Sequence, residues 1–175
     1  AMAHPEIRFA LSGSDRTALD LPGFSGDDAR RARLADVMGR DFRDNAIPIE
    51  ALREGARLAG FAGLPTFSRA NSLGQFLFVN GRPVRDKLLA GAVRASYGDL
   101  VPNGRHPMLA LFLTLPPDEV DVNVHPTKAE VRFRDPGLVR GLIVGALRDA
   151  LQTAGQRVTG ERAGATLARM IPVSA

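Results

Sequence analysis

Residues 121–133, DVNVHPTKAEVRF, hold the densest run of chemically capable side chains in the sequence. Period-two alternation places Val120, Val122 and Val124 on one strand face and Asp121, Asn123 and His125 on the other. After a break at Pro126, Ala129, Val131 and Phe133 face inward while Lys128, Glu130 and Arg132 face out. Polar groups therefore run toward a loop whose tip carries a lysine. A loop lysine is commonly a solvated charge. Held toward an anionic ligand, it becomes a point charge, its standard use at a nucleotide phosphate. Spacing leaves both readings open. His125 precedes Pro126, which biases it to an extended backbone, and His4 and His106 also precede prolines. No histidine neighbours another in sequence, so His125 is expected to shape the loop by a hydrogen bond rather than to bind a metal. Asp121, Asn123 and Thr127 are expected to orient the same loop.

A second set of candidates is cationic. In QFLFVNGRPVRD (75–86), Arg82, Arg85 and Lys87 gather at a turn and a helix start, and Arg94 extends the strip if its helix presents that face. A helix N-terminus is already positive, so cations there suit an anion site more than they suit the helix. Asp86 offsets part of the field, and a solvated turn is the competing account. Contact with a polyanion through such a patch would be driven by its phosphates and sensitive to salt.

The elements that must position these residues are legible in outline. Residues 5–22 read as a hairpin, with Ile7, Phe9 and Leu11 alternating and turn chemistry at Ser12–Asp15. Residues 27–42 read as one helix, with Leu34, Val37, Met38 and Phe42 at helical spacing. Ile47 to Leu64 returns to strands around a turn at Glu54–Gly55, and 65–74 is a loop. Asn80–Gly81 predicts a two-residue type I′ hairpin. Asp86 can cap a helix that runs to Tyr97, buries Leu89, Val93 and Tyr97, and ends at Gly98. Residues 107–115 form a nearly continuous apolar strand, central in a sheet. Two strands, 120–124 and 129–134, precede a helix opened by Asp135–Pro136, with Leu138, Val139, Leu142, Ile143, Ala146, Leu147 and Ala150 as its buried stripe. Strands come in adjacent pairs rather than alternating with helices, which predicts an α+β two-layer sandwich. The domain is expected over 5–152, after a lead-in at 1–4 in which Met2 suggests a cloning scar. Residues 153–175, rich in Gly and small side chains, read as a linker or flexible tail.

Composition bounds the rest. The 175 residues suffice for one domain with a real core, and the absence of cysteine removes disulfides and thiolate metal sites. A reducing, cytoplasmic setting fits. No apolar run of about 18 residues is present to span a membrane. The net charge of +4 comes from a mild excess of bases, nearly all Arg. Arg suits phosphate contact through its planar fork of donors, although a high-GC genome would give the same bias. No GxxxxGK[ST] loop, no GxGxxG after a strand and no nucleophile elbow is found, so the chain is not expected to be an enzyme on its own.

DVNVHPTKAEVRF together with QFLFVNGRPVRD resembles the MutL family of DNA mismatch repair proteins. The resemblance covers about residues 5–151 and is strongest from Gln75 to Phe133. It implies a mixed sheet with helices on one face, the fold of a ribosomal small-subunit protein shared with topoisomerase transducer domains. It also implies that the domain follows an ATPase domain of the gyrase, chaperone and histidine-kinase type. Lys128, at the position of the family's lysine, would reach the γ-phosphate of ATP bound there. ATP and Mg2+ would be cofactors of the complete protein alone. The implied partners are the chain's own N-terminal ATPase domain, single- or double-stranded DNA without sequence preference, a mismatch-sensing MutS-type protein, and a second copy in a homodimer. A bacterial, nucleoid-associated location goes with these. The competing expectations are a type II topoisomerase transducer and a structural nucleic-acid-binding module of the same fold.

Overall fold

The computed structural model describes residues 1–14, 19–127 and 129–170, with side chains described as far as Arg157. Lys128 and the turn at 15–18 lie outside the described residues. In chain order the elements are β1 (Phe9–Leu11), β2 (Leu19–Leu21), α1 (Ala29–Met38), α2 (Arg40–Asp44), β3 (Ala46–Arg53) and β4 (Ala56–Gly63). There follow β5 (Ser68–Arg69), β6 (Gln75–Val79), β7 (Arg82–Val84), α3 (Lys87–Tyr97) and β8 (His106–Pro107). The last are β9 (Leu109–Thr114), β10 (Val120–Asp121), β11 (Arg132–Phe133) and α4 (Pro136–Met170).

A five-stranded sheet in the order β3-β4-β9-β6-β7 forms the centre. Its pairs are antiparallel except β6 with β9, which run parallel, so the sheet is mixed as expected. The most apolar segment takes the middle strand, because only a central strand buries both faces. Leu109 and Ala110 of β9 are fully covered. Leu111 and Leu113 join Leu58, Leu77 and Val79 in the core beneath α3 and α4. The alternate residues Ala110 and Phe112 join Phe78 in a second cluster with Leu34 of α1 and Phe42 of α2. Phe78 and Phe112 stack there at 4.7 Å between centroids, and the Arg30 guanidinium sits 4.3 Å over the Phe112 ring. The α+β sandwich therefore has its two long helices on one face, while α1 and α2 cap part of the other.

The type I′ turn predicted at Asn80–Gly81 forms, and the turn expected at Glu54–Gly55 takes the same left-handed conformation. Asn80 and Gly81 take φ of 48° and 78°, and Glu54 and Gly55 take 48° and 83°, matching the twist of the strands they join. The Asp86 carboxylate accepts from the backbone N–H of Leu88 and Leu89, closing the first turn of α3. At the other end of α3, the Gly98 N–H bonds to the Arg94 carbonyl. Buried Tyr97 donates its hydroxyl to the Gly63 carbonyl at 2.6 Å, fixing α3 to the end of β4, and burial raises the phenol well above its ordinary pKa. Asp135 accepts from the Leu138 N–H and opens α4.

Four expectations change. The helix expected over 27–42 is broken into α1 and α2 at Gly39, whose φ of 97° suits glycine and breaks the helical run. The strands expected over 120–124 and 129–134 pair for two residues each. The Asp121 carboxylate captures the Asn123 N–H at 2.8 Å, and Pro126 has no N–H to give a ladder, so the segment leaves the strand early. From Thr153, where a linker or flexible tail was expected, α4 stays helical to Met170. No proline interrupts it before Pro172, and Ala, Leu, Gln, Glu and Arg compensate for its glycines. Met2, expected in a lead-in, is buried with Leu34 and Phe42.

Candidate functional site

The loop between β10 and β11 is braced by its own side chains. Asp121 Oδ1 accepts from the Asn123 N–H at 2.8 Å. His125 Nδ1 lies 2.8 Å from Thr127 Oγ1, and the Thr127 N–H points to the same nitrogen at 3.3 Å. A backbone N–H can only donate, so Nδ1 is the acceptor in that second bond. Asp121, Asn123, His125 and Thr127 are all exposed, so these bonds shape the loop rather than fill a core. Val122 packs against the main core, but Val124 is 40% exposed, since the alternation ends where the Asx turn begins. Beyond Lys128, Val131 and Phe133 are buried and Arg132 is exposed, as their spacing predicts.

The Arg85 N–H donates to the Ala129 carbonyl at 2.7 Å. The residue after Lys128 is thereby tied to the junction of β7 and α3, where the cationic candidates stand. Arg82 opens β7, an edge strand, and Arg85 and Lys87 flank the Asp86 cap. Arg82, Arg85, Lys87 and Arg94 are all exposed, and among the described residues none of them forms an ion pair. The type I′ turn places Arg82 directly after Gly81. Asn80 adds to the turn by accepting the Leu115 N–H through its side chain, joining the hairpin to the strand beside it. A groove of about 660 Å³ runs along this edge, lined by Phe76, Pro83, Arg85, Lys87 and Ala129 among others. Arg85, Lys87 and Ala129 thus share one concave surface. A second groove, of about 490 Å³ between β3 and α4, lies at the opposite edge of the sheet.

Two features escaped the sequence. Arg33 is fully buried yet forms no ion pair among the described residues. Its Nη1 donates to the carbonyls of Ala1 and His4, and its Nη2 to those of Pro5, Ile7 and Pro22, so one guanidinium gathers the N-terminal segment onto α1. Arg140 and Arg148 of α4 lie against α3, beside Gly91 and Ala95. Neither could be read from the chain, since both depend on partners distant in sequence. Among the described residues no cluster of three His, Asp or Glu is placed to hold a metal, and no helix is long and apolar enough to cross a membrane.

Comparison with known proteins follows the same outline. The family described as DNA mismatch repair protein, C-terminal domain, matches residues 34–152. The DNA mismatch repair protein MutL of Sinorhizobium medicae is 64% identical over 157 residues, covering 90% of this chain and 26% of that protein. The chain therefore spans about a quarter of the length of such relatives. A crystal structure of the N-terminal domain of a DNA repair protein superposes with a TM-score of 0.70 at 20% identity, over 90% of this chain and 52% of that one. The 43K ATPase domain of Thermus thermophilus gyrase B superposes at 0.51 with 12% identity, over 89% of this chain and 48% of that one. At these identities the two structures speak to the fold alone, and that fold is the transducer type.

Proposed function

Since the chain belongs to the DNA mismatch repair protein family, by its match to the domain described as C-terminal, we propose that it is the middle domain of a MutL-type protein. In that role it lends Lys128 to an ATP site on a preceding domain and presents Arg82, Arg85 and Lys87 to DNA phosphates. The observation that supports this most is the hydrogen bond from the Arg85 N–H to the Ala129 carbonyl at 2.7 Å. It joins the lysine-bearing loop to the basic patch, so a change at either is carried to the other through one backbone contact.

The loop suits a helper role. It is exposed and held in shape by Asp121, His125 and Thr127, and Lys128 is the one cation of residues 121–129. Bound ATP with Mg2+ would supply the phosphoryl group, and Lys128 would add positive charge where negative charge develops. A lysine brought by a separate domain also lets nucleotide state govern how the two domains dock. By the same reading the complete protein works as a homodimer with a mismatch-sensing partner, and this chain hydrolyses nothing by itself.

The DNA half is tested by replacing Arg82, Arg85 and Lys87 with Glu. Each lost phosphate contact reduces the magnitude of the negative slope of log affinity against log salt by about 1. A fall of about 3 in that magnitude, with weaker binding to all sequences alike, is the expected result. An unchanged slope shows these cations to be ordinary solvated surface.

A further inference from the structure

The outer face of the helix layer carries cations that the sequence did not bring together. α3 buries Leu89, Ala92, Val93, Ser96 and Tyr97. At about 100° per residue, Lys87, Gly91 and Arg94 lie on the opposite side, with Ala95 turned toward α4. Two arginines of α4 complete the surface. A Cβ on Gly91 would stand 4.0 Å from Arg140 Nη1, so that guanidinium lies over the bare glycine. Arg148 Nη2 donates to the Ala95 carbonyl at 3.0 Å. That bond occupies one nitrogen and leaves the rest of the fork to solvent.

We propose that Arg94, Arg140 and Arg148 form, with Lys87, a second stretch of phosphate contacts along which duplex DNA continues from the basic patch. The proposal rests on the DNA reading above, because Lys87 belongs to both surfaces. All four side chains are exposed, and among the described residues none has an acidic partner. Asp86 faces the Leu88 and Leu89 N–H groups, and Asp149 lines the groove toward β3 rather than this face. Gly91 and Ala95 keep the floor between the cations low, so a phosphate chain can approach several guanidinium groups at once. The spacing suits a rigid polyanion: α3 alone runs about 16 Å, and phosphates along one strand recur several ångströms apart. Arg148, already held by a carbonyl, gives up little side-chain freedom on contact. An anionic lipid surface fits less well, because no large apolar side chain of α3 or of the described part of α4 is exposed to enter it.

The test uses the whole 175-residue chain and a fluorescent duplex of arbitrary sequence, with affinity followed across a salt titration. Arg140→Glu with Arg148→Glu should reduce the magnitude of the salt slope by about 2 and weaken binding at low salt about tenfold or more. Arg140→Lys with Arg148→Lys should restore most of the slope, and thermal melting should show both variants folded. A slope unchanged by the Glu pair, while the Arg82, Arg85 and Lys87 variant flattens it, overturns the helix-layer contact and leaves the patch reading standing. No binding by the unaltered chain overturns both. Binding to phosphatidylserine vesicles in preference to the duplex overturns the choice of DNA.

Discussion

Arg33 and Lys128 mark the two extremes of what a single residue reveals. Lys128 stands within a distinctive string, DVNVHPTKAEVRF, and was the first candidate. Arg33 stands in an arginine-rich helix and gives no sign, yet it accounts for the seating of the whole N-terminal segment. Its partners are carbonyls 11 to 32 residues away, and no local pattern encodes them. Asp86 and Asp135 were legible for the opposite reason: a cap acts within three residues of itself. A buried cation with no ion pair among the described residues is tolerated here because carbonyl dipoles surround it. Removing it would strip the Ile7 and Pro22 carbonyls of this donor, while those of Ala1, His4 and Pro5 would keep a backbone N–H partner. Arg33→Met is therefore expected to destabilise the fold by about 3 kcal/mol. Hydrogen exchange should show residues 1–24 losing protection before the central sheet does. Uniform loss across the sheet at the same step would mean that Arg33 does not anchor this segment in particular.

At the scale of elements, turns and strand order were legible where glycine and apolar runs speak locally. Asn80–Gly81 and the run 107–115 fixed the β6–β7 hairpin and the central strand. Helix ends were less so. Gly39 breaks one expected helix, while the glycines of 155–164 do not stop α4, so glycine content alone does not decide where a helix ends. The short pairing of β10 and β11 was hidden because alternation continues on paper past the point where Asp121 takes the Asn123 N–H. One further glycine is required by close approach. Gly60 of β4 has a φ of 143°, and a Cβ there would stand 2.1 Å from the Ala110 carbonyl oxygen of β9. Neither strand can shift without moving the middle of the sheet. Gly60→Ala should cost about 2–4 kcal/mol, measured by chemical denaturation against Gly145→Ala, whose Cβ meets nothing within 4 Å. Equal stability of the two variants would show that the sheet gives way at Gly60.

For the whole molecule, the sheet order places β7 at an edge and hangs the lysine-bearing loop from it through Arg85 and Ala129. The loop and the basic surface thus stand on one edge of a single sheet. The family and the fold were legible from two strings of residues, because those strings shape a hairpin and a loop that the sheet holds together. The coupling between them was not, since it rests on one backbone hydrogen bond across 44 residues. The central claim is that this domain completes a nucleotide site it does not contain. The most direct measurement is ATP hydrolysis by the complete protein with Lys128→Ala, alongside equilibrium binding of a non-hydrolysable ATP analogue. Turnover is expected to fall by about 100-fold, with analogue affinity changed only a few-fold. Turnover equal to that of the unaltered protein would contradict the account.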